Sequence, residues 1–242
     1  MPQEAVDGFP EDHSLCERCG YSLRGQAATD ACPECGRAVA ESDPARRTGL
    51  AWQRRAAPNM WVATTLGIML TPRRSFQILI VPPPEASVWR ARVYLLSILA
   101  PLGLVWAAVW RAGALPRPLA WGAGAAAAMA MLTYIEVLGV TYFSRRHHWR
   151  VPWRLAETVA CYSAIGWLPA TLVMVKMIML VRHGELERWV EARWPGIWGF
   201  DRDLLVLVII GSVGILWFET LVWLGVRQVR YANWVERRRP IR

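Results

Sequence analysis

The chain contains no HExxH, no G-x-S-x-G and no GxxxxGK[ST]. A metalloprotease helix, a serine-hydrolase elbow and a phosphate-cradling P-loop are therefore all missing. Met1–His13 lacks the basic stretch and apolar core of a signal peptide, which predicts no cleaved leader. Cysteine is sparse, at five residues, and the composition excludes a disulfide-rich secreted mini-protein, a collagen-like fibre and intrinsic disorder. Acid is scarce beyond residue 45. Residues 1–45 carry nine acids and three bases, a net of −6, whereas the remainder carries ten acids and 25 bases, a net of +15. What is abundant is apolar: 54% of residues are hydrophobic, 15 are Trp, and the mean hydropathy is +0.20 despite a net charge of +9. Such a composition needs a bilayer or a large core to cover it, and the charge split announces two different parts.

The first part spans 1–44. Four of the five cysteines form two CxxC pairs, Cys16-Glu17-Arg18-Cys19-Gly20 and Cys32-Pro33-Glu34-Cys35-Gly36, with 12 residues between them. Each CxxC turn brings two thiolates to one side of a metal, and four of them close a tetrahedral zinc site. Glycine after each second cysteine supplies the positive φ such a turn needs. Residues 20–25 are expected to form a short strand, giving a small β ribbon of two hairpins. The same turns hold iron in rubredoxin-like sites, so the spacing alone leaves zinc and iron open; paired disulfides are disfavoured without an export signal. Four thiolates leave no open coordination position, and His13 is the nearest additional ligand, so the site reads as structural. About 45 residues bury too little to fold alone, and zinc contributes on the order of 10–16 kcal/mol to small finger folds. A net of −6, made more negative by a tetrathiolate site, argues against nucleic acid, which needs a positive face.

Residues 45–59 read as an Arg-rich linker, and 60–230 as a membrane domain. Four apolar runs approach the ~20 residues of a bilayer crossing: 93–110, kinked at Pro101 and Gly103, then 119–143, 158–181 and 204–226. Trp89, Trp110, Trp121, Trp149, Trp153 and Trp234 flank them at headgroup level. Arginines crowd the segment before the first run, the 145–154 loop and the tail at 231–242, which places both termini in the cytoplasm and the thiols in a reducing compartment. Two amphipathic stretches, 60–81 and 184–194, are expected to lie in the interface, the first restarting at Thr71 as N-cap and Pro72 at N1. A re-entrant or fifth span broken at Thr71-Pro72 is the alternative for 60–80.

The run CxxCGYSLRG followed by CPECG, from Cys16 to Gly36, resembles the zinc ribbon at the start of many bacterial membrane proteins. The interfacial helix, Thr71-Pro72-Arg73-Arg74-Ser75-Phe76 and the helical bundle beyond it resemble the Yip family of multi-pass membrane proteins. That likeness implies a membrane-organising or partner-binding role without catalysis, and it carries over no catalytic residues.

Ionisable residues inside apolar runs are functional candidates. Glu136 and Glu219 each sit seven residues before the cytoplasmic end of their run, about 10 Å deep at ~1.5 Å per residue. Lys176 lies near the opposite leaflet and is expected to snorkel. The two carboxyls could share a proton or bind a cation, or each could be a protonated packing group. Gly122, Gly124, Ala128, Gly211 and Gly214 are small positions for close helix packing. His147-His148 reads as interfacial and Cys161 as inert. The expectation is therefore an all-α multi-pass bundle of four spans in the cytoplasmic membrane with a small N-terminal β zinc ribbon. It is not an enzyme; one structural zinc is held by Cys16, Cys19, Cys32 and Cys35. The expected partners are membrane lipid and a protein at the cytoplasmic face, with oligomerisation open. The alternative is a small transporter or channel using Glu136 and Glu219.

Overall fold

The computed structural model describes residues 14–109, 117–182 and 202–233. The expected interfacial helix at 184–194, the tail beyond 233, His13, Trp110 and Trp234 lie outside them. The described chain is mostly helical: α1 (Ala51–Arg54), α2 (Pro58–Leu70), α3 (Pro72–Gln77), α4 (Glu85–Val109), α5 (Arg117–Arg146), α6 (Trp153–Ser163), α7 (Trp167–Arg182) and α8 (Arg202–Val229). No strand occurs among the described residues; the N-terminal ribbon is held by two isolated antiparallel bridges, Leu15 to Ser22 and Ala31 to Ala38.

α4 and α5 form an antiparallel pair that closes around glycine. A β-carbon on Gly103 would fall 2.8 Å from the Gly122 carbonyl oxygen, and 3.2 Å from the Ala126 methyl. Pro101 lies inside α4 without ending it. A β-carbon on Gly124, by contrast, would meet nothing within 4 Å, so Gly122 serves the contact and Gly124 does not. α6 is the central element. It packs on α4, α5 and α8, and every residue from Leu155 to Ser163 is buried.

The run expected as one span at 158–181 is divided. A 3-10 turn at Ala164–Gly166 separates α6 from α7, and α6 begins at Trp153. α4 likewise begins at Glu85, eight residues before the expected 93, and so takes in Arg90 and Arg92. Two helices among the described residues are long and apolar enough to cross a membrane, Glu85–Val105 and Gly122–Arg146. The other two expected spans are not among these two helices. α7 has 16 residues because the 3-10 turn shortens it. α8 has 28 residues, and the side chains of 202–211 lie outside the described ones.

The stretch at 60–81 is two helices, broken where Pro72 offers no N–H to continue α2. Thr71 stands at the N-cap position of α3 without capping it. Its hydroxyl donates backward to the Gly67 carbonyl, at 3.1 Å. Nor does this stretch only rest on a surface: Ile68, Phe76 and Leu79 are fully buried in the main core, where each side chain contributes about 1.5–3 kcal/mol. Its period of apolar residues could not distinguish lipid from α8 as the covering partner.

The α4–α5 contact makes a contrasting pair of substitutions informative. Gly103→Val should lower stability by about 1–3 kcal/mol through overpacking. Gly124→Ala should leave it unchanged or raise it by up to about 1 kcal/mol from helix propensity. Thermal unfolding of the purified protein measures both.

Candidate metal centre

The ribbon consists of two copies of one turn, offset by 16 residues. The Cys16 N–H donates to the Tyr21 carbonyl at 2.8 Å, and the Cys32 N–H to the Arg37 carbonyl at 2.7 Å. The Gly20 and Gly36 N–H groups close the turns onto the Cys16 and Cys32 carbonyls, both at 2.8 Å. Gly20 and Gly36 have φ of 81° and 69°, a region that penalises any side chain with a β-carbon. Leu23 and Val39 fill the space beneath the cysteines.

Folding of the two turns brings the four sulfurs within 4.8 Å of one another. Cys16 Sγ lies 3.5 Å from Cys35 Sγ, and Cys19 Sγ 3.7 Å from Cys32 Sγ. These distances exclude sulfur–sulfur bonds. They match the ~3.8 Å edge of a tetrahedron with metal–sulfur bonds of ~2.3 Å. The electrostatics agree with that donor set. Burial raises the Cys16 thiol, but N–H groups of Cys19 and Arg18 and the neighbouring thiols hold it down to about 7. Burial and the adjacent sulfurs push Cys19 up to about 12. At Cys35 the Arg37 N–H lowers the thiol, but burial and the Cys16 and Cys32 sulfurs outweigh it and leave it raised. Sulfurs this close cannot all ionise without a cation, which is the condition a metal ion supplies. Cys16, Cys19, Cys32 and Cys35 can thus hold one ion; Cys161 is buried separately in the helical core.

The first turn is docked on the helices. Glu17, between the first two cysteines, forms a bidentate pair with Arg47: Nε to Oε1 and Nη2 to Oε2, both 3.0 Å. The side chains are 6% and 3% exposed. Arg47 also donates to the Leu79 carbonyl at 3.3 Å and the Gln228 carbonyl at 3.0 Å, so four of its five N–H bonds are used. Asn233, just past α8, accepts from the Leu15 N–H at 2.8 Å and donates to the Leu15 and Ser42 carbonyls at 2.7 and 2.8 Å. Its own N–H reaches Glu17 Oε1 at 3.2 Å. Gly20 is pressed against Tyr231, whose ring would lie 2.9 Å from a β-carbon there. Arg230 donates to the Arg18 carbonyl at 3.1 Å and accepts the Arg150 N–H on its own carbonyl at 2.8 Å. The segment read as an Arg-rich linker therefore contains the residue that fastens the ribbon. Counting Arg47 as one more solvated cation hid it, because its acid lies 30 residues away inside a metal turn.

The other candidates sit as follows. Glu136 is half-buried on α5 and Glu219 exposed on α8. Lys176 is exposed on α7. His147 stacks between Phe143 and Trp149, and His148 takes φ 53° just past the end of α5. A polar cluster escaped the sequence reading. Glu157, 1% exposed, accepts Arg92 Nε at 2.6 Å and Nη2 at 3.1 Å. The Tyr134 hydroxyl donates to the same carboxylate at 3.1 Å. Both charges fall just outside the apolar windows, and only the packing of α4 on α6 pairs them.

No family model matches the chain, and no curated protein or solved structure is similar to it. The ribbon and Yip likenesses accordingly rest on their motifs alone.

Arg47→Ala strands Glu17 as a buried unpaired carboxylate, a loss of about 3–5 kcal/mol. The expected result is rapid proteolysis within 45–57 at unchanged metal content. Pairing it with Glu17→Leu should restore part of the resistance, which limited proteolysis with metal analysis will read.

Proposed function

We propose that this chain is a non-enzymatic multi-pass protein of the cytoplasmic membrane that carries a structural zinc ribbon fixed at its cytoplasmic face. Its role in this reading is that of a protein-interaction or membrane-organising adaptor. One observation carries the reading: the first metal turn is buried against α8 while the second faces outward. Pro33, Glu34 and Gly36 are exposed, whereas Glu17 of the first turn is buried and Gly20 is partly covered. A staple needed only for stability has no reason to leave half its surface outward on a rigid mount.

Four crossings are part of the proposal: α4, α5, α6 with α7 as one broken crossing, and α8. Only 22% of the apolar window of α5 is buried, whereas a core helix of a soluble protein is mostly covered. Met131, Ile135, Leu138 and Tyr142 line its outer face at helical spacing, each more than half exposed. The start of α4, the end of α5, the start of α6 and the end of α8 all lie at the ribbon's end of the bundle. This end carries Arg54, Arg73, Arg74, Arg145, Arg146 and Arg227, which supports a cytoplasmic placement. Zinc is preferred to iron because a closed tetrathiolate site in a docking module needs no redox chemistry.

A second reading draws on Glu136 and Glu219 as ionisable residues within apolar helices. In it, the chain is a small transporter or channel that moves a proton or cation past these carboxylates.

In-cell cross-linking with mass spectrometry separates the two. For an adaptor, Cys32→Ser and the metal-retaining Glu34→Arg should both lose the same partner proteins at matched membrane abundance. Identical partner sets in all variants would end the adaptor reading. For a transporter, Glu136→Gln or Glu219→Gln should abolish proton flux in proteoliposomes without lowering abundance; equal flux in both variants removes that alternative.

A further inference from the structure

The starting ends of α4 and α6 meet at a cavity of about 400 Å³, lined chiefly by Glu85, Trp89, Arg92, Trp153, Arg154 and Glu157. Its charges are distributed unequally. Glu157, the buried member, is fully engaged: one oxygen accepts Arg92 Nε and the Tyr134 hydroxyl, the other accepts Arg92 Nη2. Arg92 uses one edge of its guanidinium for this fork. Its Nη1 makes no hydrogen bond or ion pair among the described residues, and the side chain is 46% exposed. Arg154 and Glu85 are both exposed, and neither side chain has an ion-pair partner among the described residues.

The cavity thus offers two outward guanidinium groups and one free carboxylate around an internally neutralised floor. The start of α6 adds to the positive side, since Pro152 gives its first turn no side-chain cap. Trp89 and Trp153 stand 63% and 41% exposed at the same rim, which suits the boundary between headgroup and acyl chain. Leu96 and Leu104, 61% and 64% exposed, continue the apolar surface along α4. A phosphate-sized anion alone would leave Glu85 unanswered, and a cation alone would leave both guanidinium edges unanswered.

We propose that this cavity binds a zwitterionic phosphoethanolamine group, as carried by a phospholipid. The phosphate is met by Arg154 and the Nη1 edge of Arg92, the primary ammonium by Glu85, and the acyl chains run past the tryptophans along α4. Arg92 is thereby both a positioning residue for the buried carboxylate and a headgroup ligand. The lipid form of the proposal rests on α4 crossing the membrane; the headgroup chemistry does not.

Native mass spectrometry of the metal-loaded full chain tests this, with phosphatidylethanolamine, phosphatidylcholine and phosphatidylglycerol offered at equal concentration. Soluble glycerophosphoethanolamine serves as competitor, and carbonate extraction of cells reports membrane insertion separately. The expected result is retention of phosphatidylethanolamine by about tenfold over the other two, the scale of one charge-assisted contact. Arg154→Glu should abolish that retention. Glu85→Gln should retain lipid but lose the preference for the primary amine. Both variants must keep the wild-type melting temperature, and Glu85→Gln carries the test if Arg154→Glu does not. Equal retention of all three lipids by the wild type, or an unchanged preference in Glu85→Gln, overturns the proposal. Displacement by the soluble headgroup would support the cavity with a free ligand as its source; retention against it would support the lipid. Release by carbonate would overturn the membrane reading alone, and soluble-headgroup binding would then decide the cavity.

Discussion

The ion pair between Glu17 and Arg47 ties the two halves of this protein together. Glu17 belongs to a metal turn and Arg47 to the segment beyond it, yet the guanidinium ends on carbonyls of Leu79 and Gln228, at the far side of α3 and near the end of α8. A buried carboxylate and guanidinium lose several kcal/mol of hydration each, and only near-complete hydrogen bonding offsets the loss. That condition is met here by backbone groups of Leu79 and of the Gln228–Asn233 stretch. The pair can therefore form only when the metal turn, the α3 region and the α8 terminus are all in place. Its value lies in specificity of docking more than in net stability, and it makes the geometry of the thiolate turn and that of the helical domain mutually dependent.

A comparable logic governs the second buried carboxylate. Glu157 lies in the stretch of α6 from Leu155 to Ser163, every residue of which is buried, so an unpaired charge there would be expelled or neutralised. Arg92 reaches it from α4 and Tyr134 from α5. α4 and α5 are thereby registered on α6 by one polar contact, while Trp167 stacked on Phe218 at 4.9 Å registers α7 against α8. Apolar surface sets how much is buried; these few directional contacts set which helix faces which. The same contact leaves half of a guanidinium outward, so a structural pair also shapes the rim of a cavity.

Adaptor and transporter readings place different demands on this architecture. An adaptor needs the outward metal turn held in fixed orientation, which the docking of the first turn provides. A transporter needs Glu136 and Glu219 to act on a common path. Glu219 is exposed and Glu136 half-buried, so such a path would run along the outer surface of α5 and α8 unless another chain covers it. The rigid mount is the more developed feature of the two.

The clustering of four cysteines and the apolar helices were legible in the chain itself, because CxxC spacing and hydropathy act over a few residues to a few turns. Local signals also placed the break at Pro72, where a missing N–H ends a helix whatever surrounds it. The ribbon's attachment was not legible, nor was the division of 158–181 into two helices. Glu17 and Arg47, like Arg92 and Glu157, read as ordinary solvated charges until packing brings them together across 30 and 65 residues. A sequence records that a charge exists and where helices can form. Whether that charge meets water, lipid or an opposite charge is decided by desolvation, and desolvation is a property of the packed structure.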